Sequence, residues 1–380
     1  MSRLNPVTPR LVAAAAQSGF SLIELMVAIT ISLLMMTAVL TLFLNISRTN
    51  DEMAKTNSLI ENGRFAVQLL QNDLAHGGFW NGYIPQFDDL TATAAPTDVP
   101  TAVPAPCAAP ATWNVVYKTN LLGIPVQAYE SVPSGCSGLL TDKKANTDVL
   151  LVRHAETCAP GVGTCPADTS GALYFQASFC ASETAAPYVL DTSGFDRHKR
   201  NCTTLADKRR YISNLYYIRD HATTAGDGIP TLMRSSFDLD GGVLAHQPAQ
   251  ALIEGIEGFR VELGIDNLSD SGAAVNYTSA VTWADTANKN SPTNRGDGTP
   301  DGDFIRCTDA TPCAFGDLSN TVTVQLHVLV RSLQPTSGYS SNKSYRLGST
   351  TLGPFTDNFK RHVFSTTVRM NNISGRRETP

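Results

Sequence analysis

One acidic residue stands alone in the greasiest part of the chain. From Phe20 to Leu44 the sequence runs FSLIELMVAITISLLMMTAVLTLFL, with Glu24 as its only charge. A carboxylate at the centre of a membrane helix costs about 2.5–3.5 kcal/mol, and less near an end. Glu24 therefore needs a cationic partner, or must reach headgroups or water. Elsewhere, Cys107, Cys136, Cys158, Cys165, Cys180, Cys202, Cys307 and Cys313 form no CxxC pair. Zinc sites use short paired spacings, so disulfides in an oxidising compartment are the expected chemistry, with free buried thiols as the alternative. Eight cysteines allow about a hundred connectivities. Bridging sequence neighbours would give Cys107–Cys136, Cys158–Cys165, Cys180–Cys202 and Cys307–Cys313.

Two further clusters can be weighed. Asp297, Asp301 and Asp303 lie in RGDGTPDGD and offer oxygens of the kind calcium takes. As an EF-hand loop starting at Asp297 the stretch fails, because Thr299 holds the third position and Thr308 the twelfth. Solvated Asp-Gly turns account for it equally well. No other cofactor is indicated. Arg197, His198, Lys199, Arg200, Lys208, Arg209 and Arg210 make the one basic patch, which reads as a solvated face rather than a phosphate-binding surface. The net charge of -5 supplies no global field for nucleic acid, so none is expected as a partner. Neither GxSxG, HExxH nor a phosphate loop occurs, and the seven histidines stand singly. The expectation is a protein that is not an enzyme.

The elements that would position these residues follow from length and periodicity. Twenty-five helical residues span about 37 Å, enough for a bilayer core of about 30 Å. Arg3 and Arg10 precede the run without an acid, which orients the N-terminus to the cytoplasm. The apolar run is too long for an ordinary secretory signal, and no small-residue cleavage site follows it. Beyond it, Met53, Ile60, Val67, Leu70 and Leu74 recur at helical spacing, and Gly77-Gly78 ends the pattern.

Gly19 followed by Phe20-Ser21-Leu22-Ile23-Glu24-Leu25 resembles the GF(T/S)LIEL signature of type IV prepilins and type II secretion pseudopilins. That resemblance implies cleavage between Gly19 and Phe20 by a prepilin peptidase, N-methylation of Phe20, and pairing of Glu24 with the N-terminal amine of a neighbouring subunit. The leader, 1–19, is longer than in many relatives. Asn62-Gly63-Arg64-Phe65-Ala66, and later GIEGFRV from Gly255, VLVRS from Val328 and RHVFSTTV from Arg361, resemble minor pilins of the PilW type. Some pseudopilins bind calcium in their heads, which bears on Asp297, Asp301 and Asp303.

The expected fold is α+β and pilin-like. Residues 1–19 are the leader, 20–44 the membrane and filament-core helix, 45–78 its amphipathic continuation, and 79–380 a β-rich antiparallel, disulfide-bonded head. A polar surface excursion is expected at about 268–316, and an exposed Pro/Ala/Thr-rich loop at 85–111. Strands are expected at Trp113–Tyr117, Ile124–Tyr129, Asp148–His154, Ala172–Phe179, Arg210–Ile218, Thr231–Phe237, Gly258–Ile265, Thr321–Arg331 and His362–Met370. In Thr321–Arg331 the alternation of Val322, Val324, Leu326, Val328 and Val330 predicts a half-buried strand.

The resemblance implies a minor pilin that primes pilus assembly and sits at or near the tip. Its partners would be other minor pilins, the major pilin, the prepilin peptidase and a tip adhesin. It would begin as a single-pass inner-membrane protein with a periplasmic head and end in the extracellular pilus. A J-type pseudopilin of type II secretion is the nearest alternative. A signal-anchored surface adhesin or enzyme that never enters a filament is the alternative of another class.

Overall fold

A computed structural model describes residues 19–378, so the leader expected at 1–19 lies, up to residue 18, outside the described residues. The chain divides into two units at Ala54 and Lys55. Helix α1, Leu22–His76, has 55 residues. Within the first unit its side chains from Leu22 to Asn50 are all exposed. Such a surface, almost wholly apolar through Leu44, is unstable in water and calls for lipid or other helices. Among the described residues, one helix is thus long and apolar enough to cross a membrane.

The second unit is a β-rich head built on the last part of α1. Leu59, Gly63, Ala66, Leu70 and Leu74 are its buried residues there. Ile60 and Val67 are only partly buried against the core, and Met53 is exposed. Leu70 and Leu74 of the expected stripe are thus buried, and towards the membrane end Leu59, Gly63 and Ala66 take the buried face in place of Met53, Ile60 and Val67. Gly63 shows the reason: a Cβ there would fall 2.1 Å from the Phe364 ring. Small side chains let a strand approach the helix axis, although they contribute little to a hydropathy pattern.

After α1, helix α2 covers Val115–Gly123. It replaces the strand expected at Trp113–Tyr117, because the Asn114 side chain accepts a hydrogen bond from the Tyr117 N–H at 2.8 Å and caps the helix. The loop before it has no regular strand, but it is pinned rather than merely exposed. Asp98 accepts hydrogen bonds from the backbone of Gln86 and Phe87, Asn120 from that of Thr101, and Phe87 is buried.

An antiparallel sheet of eight strands follows: β1 (Val126–Tyr129), β2 (Val149–Ala155), β3 (Tyr174–Ala177), β4 (Tyr188–Asp191), β5 (Arg209–Arg219), β6 (Thr231–Asp240), β7 (Val243–His246) and β8 (Gln250–Glu254). Strand β5 is the hub, pairing with β2, β3 and β6. A second sheet begins with β9 (Ile256–Ile265). The chain then forms the small hairpin β10 (Trp283–Asp285) and β11 (Asn290–Pro292), and helix α3 (Phe315–Ser319). Next come β12 (Thr321–Arg331), the hairpin β13 (Tyr345–Leu347) and β14 (Thr350–Leu352), strand β15 (Arg361–Arg369) and helix α4 (Asn371–Arg377). The order β15-β12-β9 is antiparallel throughout.

Alternation on β12 sends Val322, Val324, Leu326, Val328 and Val330 into one core with Leu59, Ala66, Leu70 and Leu74 of α1. The opposite face is covered as well, since Thr323, His327 and Leu329 are buried. Strand β12 is thus buried on both sides, and not half-buried as its alternation suggests. Burying side chains of this size stabilises by about 1.5–3 kcal/mol each before chain entropy is counted. At the far end of α1, Asn372 of α4 donates to the carbonyls of Ala75, His76 and Gly77 at 3.2–3.3 Å, satisfying groups the helix terminus would leave open. Arg377, also buried, bonds Asp88, Asp266 and the Ser319 carbonyl, tying the C-terminus into the head.

Candidate assembly helix and polar clusters of the head

Helix α1 opens with a capping box. Ser21 precedes its first residue, and its Oγ accepts from the Glu24 N–H at 3.2 Å. Glu24 Oε2 in return accepts from the Ser21 N–H at 2.9 Å and the Ser21 hydroxyl at 3.1 Å. This reciprocal pattern satisfies two donors that a helix start leaves open. Both bonds use Oε2, so Oε1 is the oxygen the carboxylate offers to a cation. Phe20 and Gly19 are exposed just before it. The arrangement suits association: an apolar rod with one oriented negative group near its beginning.

In the head, α1 contributes a second carboxylate. Asp73 accepts from His154 Nε2 at 3.0 Å, from the Asn214 amide at 3.1–3.2 Å and from the Tyr216 hydroxyl at 2.9 Å. Burial acts to lower the His154 pKa, but the hydrogen bond and charge of Asp73 outweigh it, and the net shift is upward. Burial and Asp73 together raise the Tyr216 phenol, which stays a donor. This cluster ties the helix to β2 and β5, and sequence spacing gave no sign of it because the partners lie 81–143 residues from Asp73.

The cysteines are bonded as Cys107–Cys136, Cys158–Cys165, Cys180–Cys202 and Cys307–Cys313. Asp297 Oδ1 is engaged by the Thr299 N–H and hydroxyl, Asp301 Oδ2 by the backbone of Asn267 and Leu268, and Asp303 is exposed. Asp297 thus holds its own turn, and Asp301 ties its loop to the backbone at Asn267 and Leu268. Among the described residues, one group of metal-type donors, Glu156 with Cys158 and Cys165, brings its ligand atoms within 4.8 Å of one another. Its two sulfurs are in a disulfide.

The basic patch is largely neutralised within the head. Arg197 faces Asp196, His198 faces Glu183, Lys199 faces Asp207, Lys208 faces Asp168 and Arg210 faces Asp238. Hydrogen bonds from Ser178 and His198 hold Glu183 down at about 2. Arg209 is tied to Asn81 and the Thr157 carbonyl. Of the scattered histidines, His154 and His327 meet carboxylates that are remote in sequence. For His327 a signal was present: it stands on the polar side of an otherwise apolar strand.

A long apolar helix with a capped carboxylate, followed by an antiparallel disulfide-bonded head, defines a pilin-type subunit. Residues 215–372 match the family model of type IV pilus-assembly protein W, and residues 14–40 match the prokaryotic N-terminal methylation motif. Over these stretches the chain is similar to the PilW-like proteins of the type IV pilus and pseudopilin superfamily. The matched model describes a pilus-assembly protein, a structural and not a catalytic class. Among curated proteins none matches. Among solved structures, a type IV-like pilin from Thermus thermophilus is similar at 11% identity and a TM-score of 0.34, over 83% of this chain and 96% of that one.

Proposed function

We propose that this subunit is a minor pilin that primes type IV pilus assembly together with other minor pilins and occupies a position at or near the tip. The single observation that carries this reading is the exposed apolar surface of α1 with the lone, pre-oriented Glu24 at its start. In the proposed sequence, a prepilin peptidase cuts between Gly19 and Phe20 and methylates the new amine. Residues Phe20–Leu44 hold the subunit in the inner membrane, with the head in the periplasm, until it moves into the filament core. Glu24 Oε1 then meets the N-terminal ammonium of a neighbour, whose charge offsets the burial of both groups in a low-dielectric bundle. Function here is association, and the large head presents a surface distinct from that of the major pilin.

The test combines mass spectrometry with assembly. The mature chain is expected to begin at N-methylated Phe20. Glu24→Leu should abolish co-purification with the other minor pilins and reduce piliation. An unmethylated start elsewhere would point to an anchored surface protein outside any filament. Co-purification with secretion pseudopilins in place of pilus subunits would move the assignment to type II secretion. Unchanged piliation and co-purification in Glu24→Leu would remove the carboxylate from the assembly mechanism.

A further inference from the structure

The face of the second sheet that turns away from α1 carries a polar array. Gln325 on β12 pairs with Glu262 on β9, and His327 pairs with Ser365 on β15. Strand alternation places these four side chains on one side. A cleft of about 630 Å³ lies over them, with Asp303 and Arg346 also on its walls.

The atoms of this array are arranged in a specific way. His327 Nδ1 lies 2.8 Å from the Ser365 hydroxyl. Its Nε2 is buried and has no hydrogen-bond partner. The facing oxygen is Glu262 Oε2, at 3.6 Å, too far for a hydrogen bond. The other oxygen, Oε1, accepts from both the N–H and the hydroxyl of Ser349 at 2.6 Å. Gly348, in the β13–β14 turn, has φ +58°, and a Cβ there would fall 2.3 Å from Oε1. The turn is therefore shaped around this carboxylate and orients its free oxygen towards the imidazole. Only 8% of His327 and 4% of Glu262 is exposed, so the pair is built into the head rather than left on its surface.

We propose that His327 Nε2 and Glu262 Oε2 are the two protein ligands of a divalent transition-metal ion of the zinc type. Zinc binds imidazole nitrogen at about 2.0–2.1 Å and carboxylate oxygen at about 2.0–2.2 Å, and a tetrahedral angle then separates the donor atoms by about 3.4 Å. The observed 3.6 Å fits one ion held between them. Nδ1 and the Ser365 hydroxyl share a hydrogen bond, and with the ring proton on Nδ1 the Nε2 lone pair faces the site, the usual second support of a metal-binding histidine. An imidazole ligand disfavours calcium and magnesium, which take oxygen donors. The remaining coordination positions open on the cleft and are taken by water.

The experiment uses the full chain in detergent, stripped with chelator and dialysed against zinc chloride, with magnesium chloride as control. Wild type is expected to retain one equivalent of zinc more than His327→Gln or Glu262→Gln, and to melt at higher temperature with zinc but not with magnesium. His362→Gln, on the same strand as Ser365, should retain the wild-type amount. Cobalt(II) substituted into wild type should give the visible absorption of a tetrahedral site, and zinc should protect His327 from histidine acylation mapped by mass spectrometry. The last two readouts need no variant and hold even if a substitution impairs folding. Equal zinc content in wild type and both variants, or acylation of His327 unaffected by zinc, would overturn the proposal in favour of a simple protonated His–Glu pair.

Discussion

Replacing Gly63 with alanine sets two opposing effects of known size against each other. In an exposed helix the change stabilises by about 1 kcal/mol, because glycine is the poorer helix former. Here the new methyl would lie 2.1, 2.5 and 2.6 Å from three atoms of the Phe364 ring, where ordinary contact begins near 3.4 Å. The ring must retreat by about 1.3 Å, the difference between 3.4 and 2.1 Å. Strand β15 cannot carry it away, since its main chain is paired to β12 from Arg361 to Arg369. Only the side chain can swing, and it then loses its seat on the helix. Overpacking of this kind costs about 1–3 kcal/mol, so Gly63→Ala should destabilise the head by about 1 kcal/mol net. In a Phe364→Ala background the obstruction is gone, and the same change should stabilise by about 0.5–1 kcal/mol. Urea denaturation followed by the fluorescence of Trp80, Trp113 and Trp283 measures all four corners of the cycle. An effect of the same sign in both backgrounds would refute the close approach of β15 to α1.

Other consequences are measurable in the same way. Asp73→Ala strands the donors of His154, Asn214 and Tyr216 and should cost about 3–5 kcal/mol, read as a fall in the urea midpoint. Because the His154 pKa is raised in the folded head, its contribution is full below its unfolded value of about 6.5 and is lost as pH rises through the higher native value. His246, pushed down to about 4 by burial, acts in the opposite direction, so the difference between wild type and His154→Gln across pH 6–8 is the curve to record, and a flat difference would exclude a charged His154. Removing Cys107–Cys136, with a sequence separation of 29, should cost about 3–4 kcal/mol, and removing Cys307–Cys313, separated by 6, about 2 kcal/mol, as thermal melting would show. Asn114→Ala should lose about 1 kcal/mol through the cap of α2, and leave the denaturation slope unchanged.

The sequence by itself determined what depends on neighbours along the chain. An unbroken apolar run with one acid near its start specifies a membrane-length helix, and Ser21 three residues before Glu24 is a helix-start signal in its own right. Alternating valines specify β12. Tertiary structure decided what depends on side chains that are remote in sequence. The helix face that packs is chosen by the strand that comes to rest on it, so Gly63 and Ala66 matter more than the larger Met53. The Asn114 cap on Tyr117 is a local signal for α2 that the β-type residues of Trp113–Tyr117 obscured. His154 and Asp73, or His327 and Glu262, gain chemical meaning only through the register of paired strands, because titration and ligation depend on distances of a few ångströms between atoms that the chain itself holds far apart.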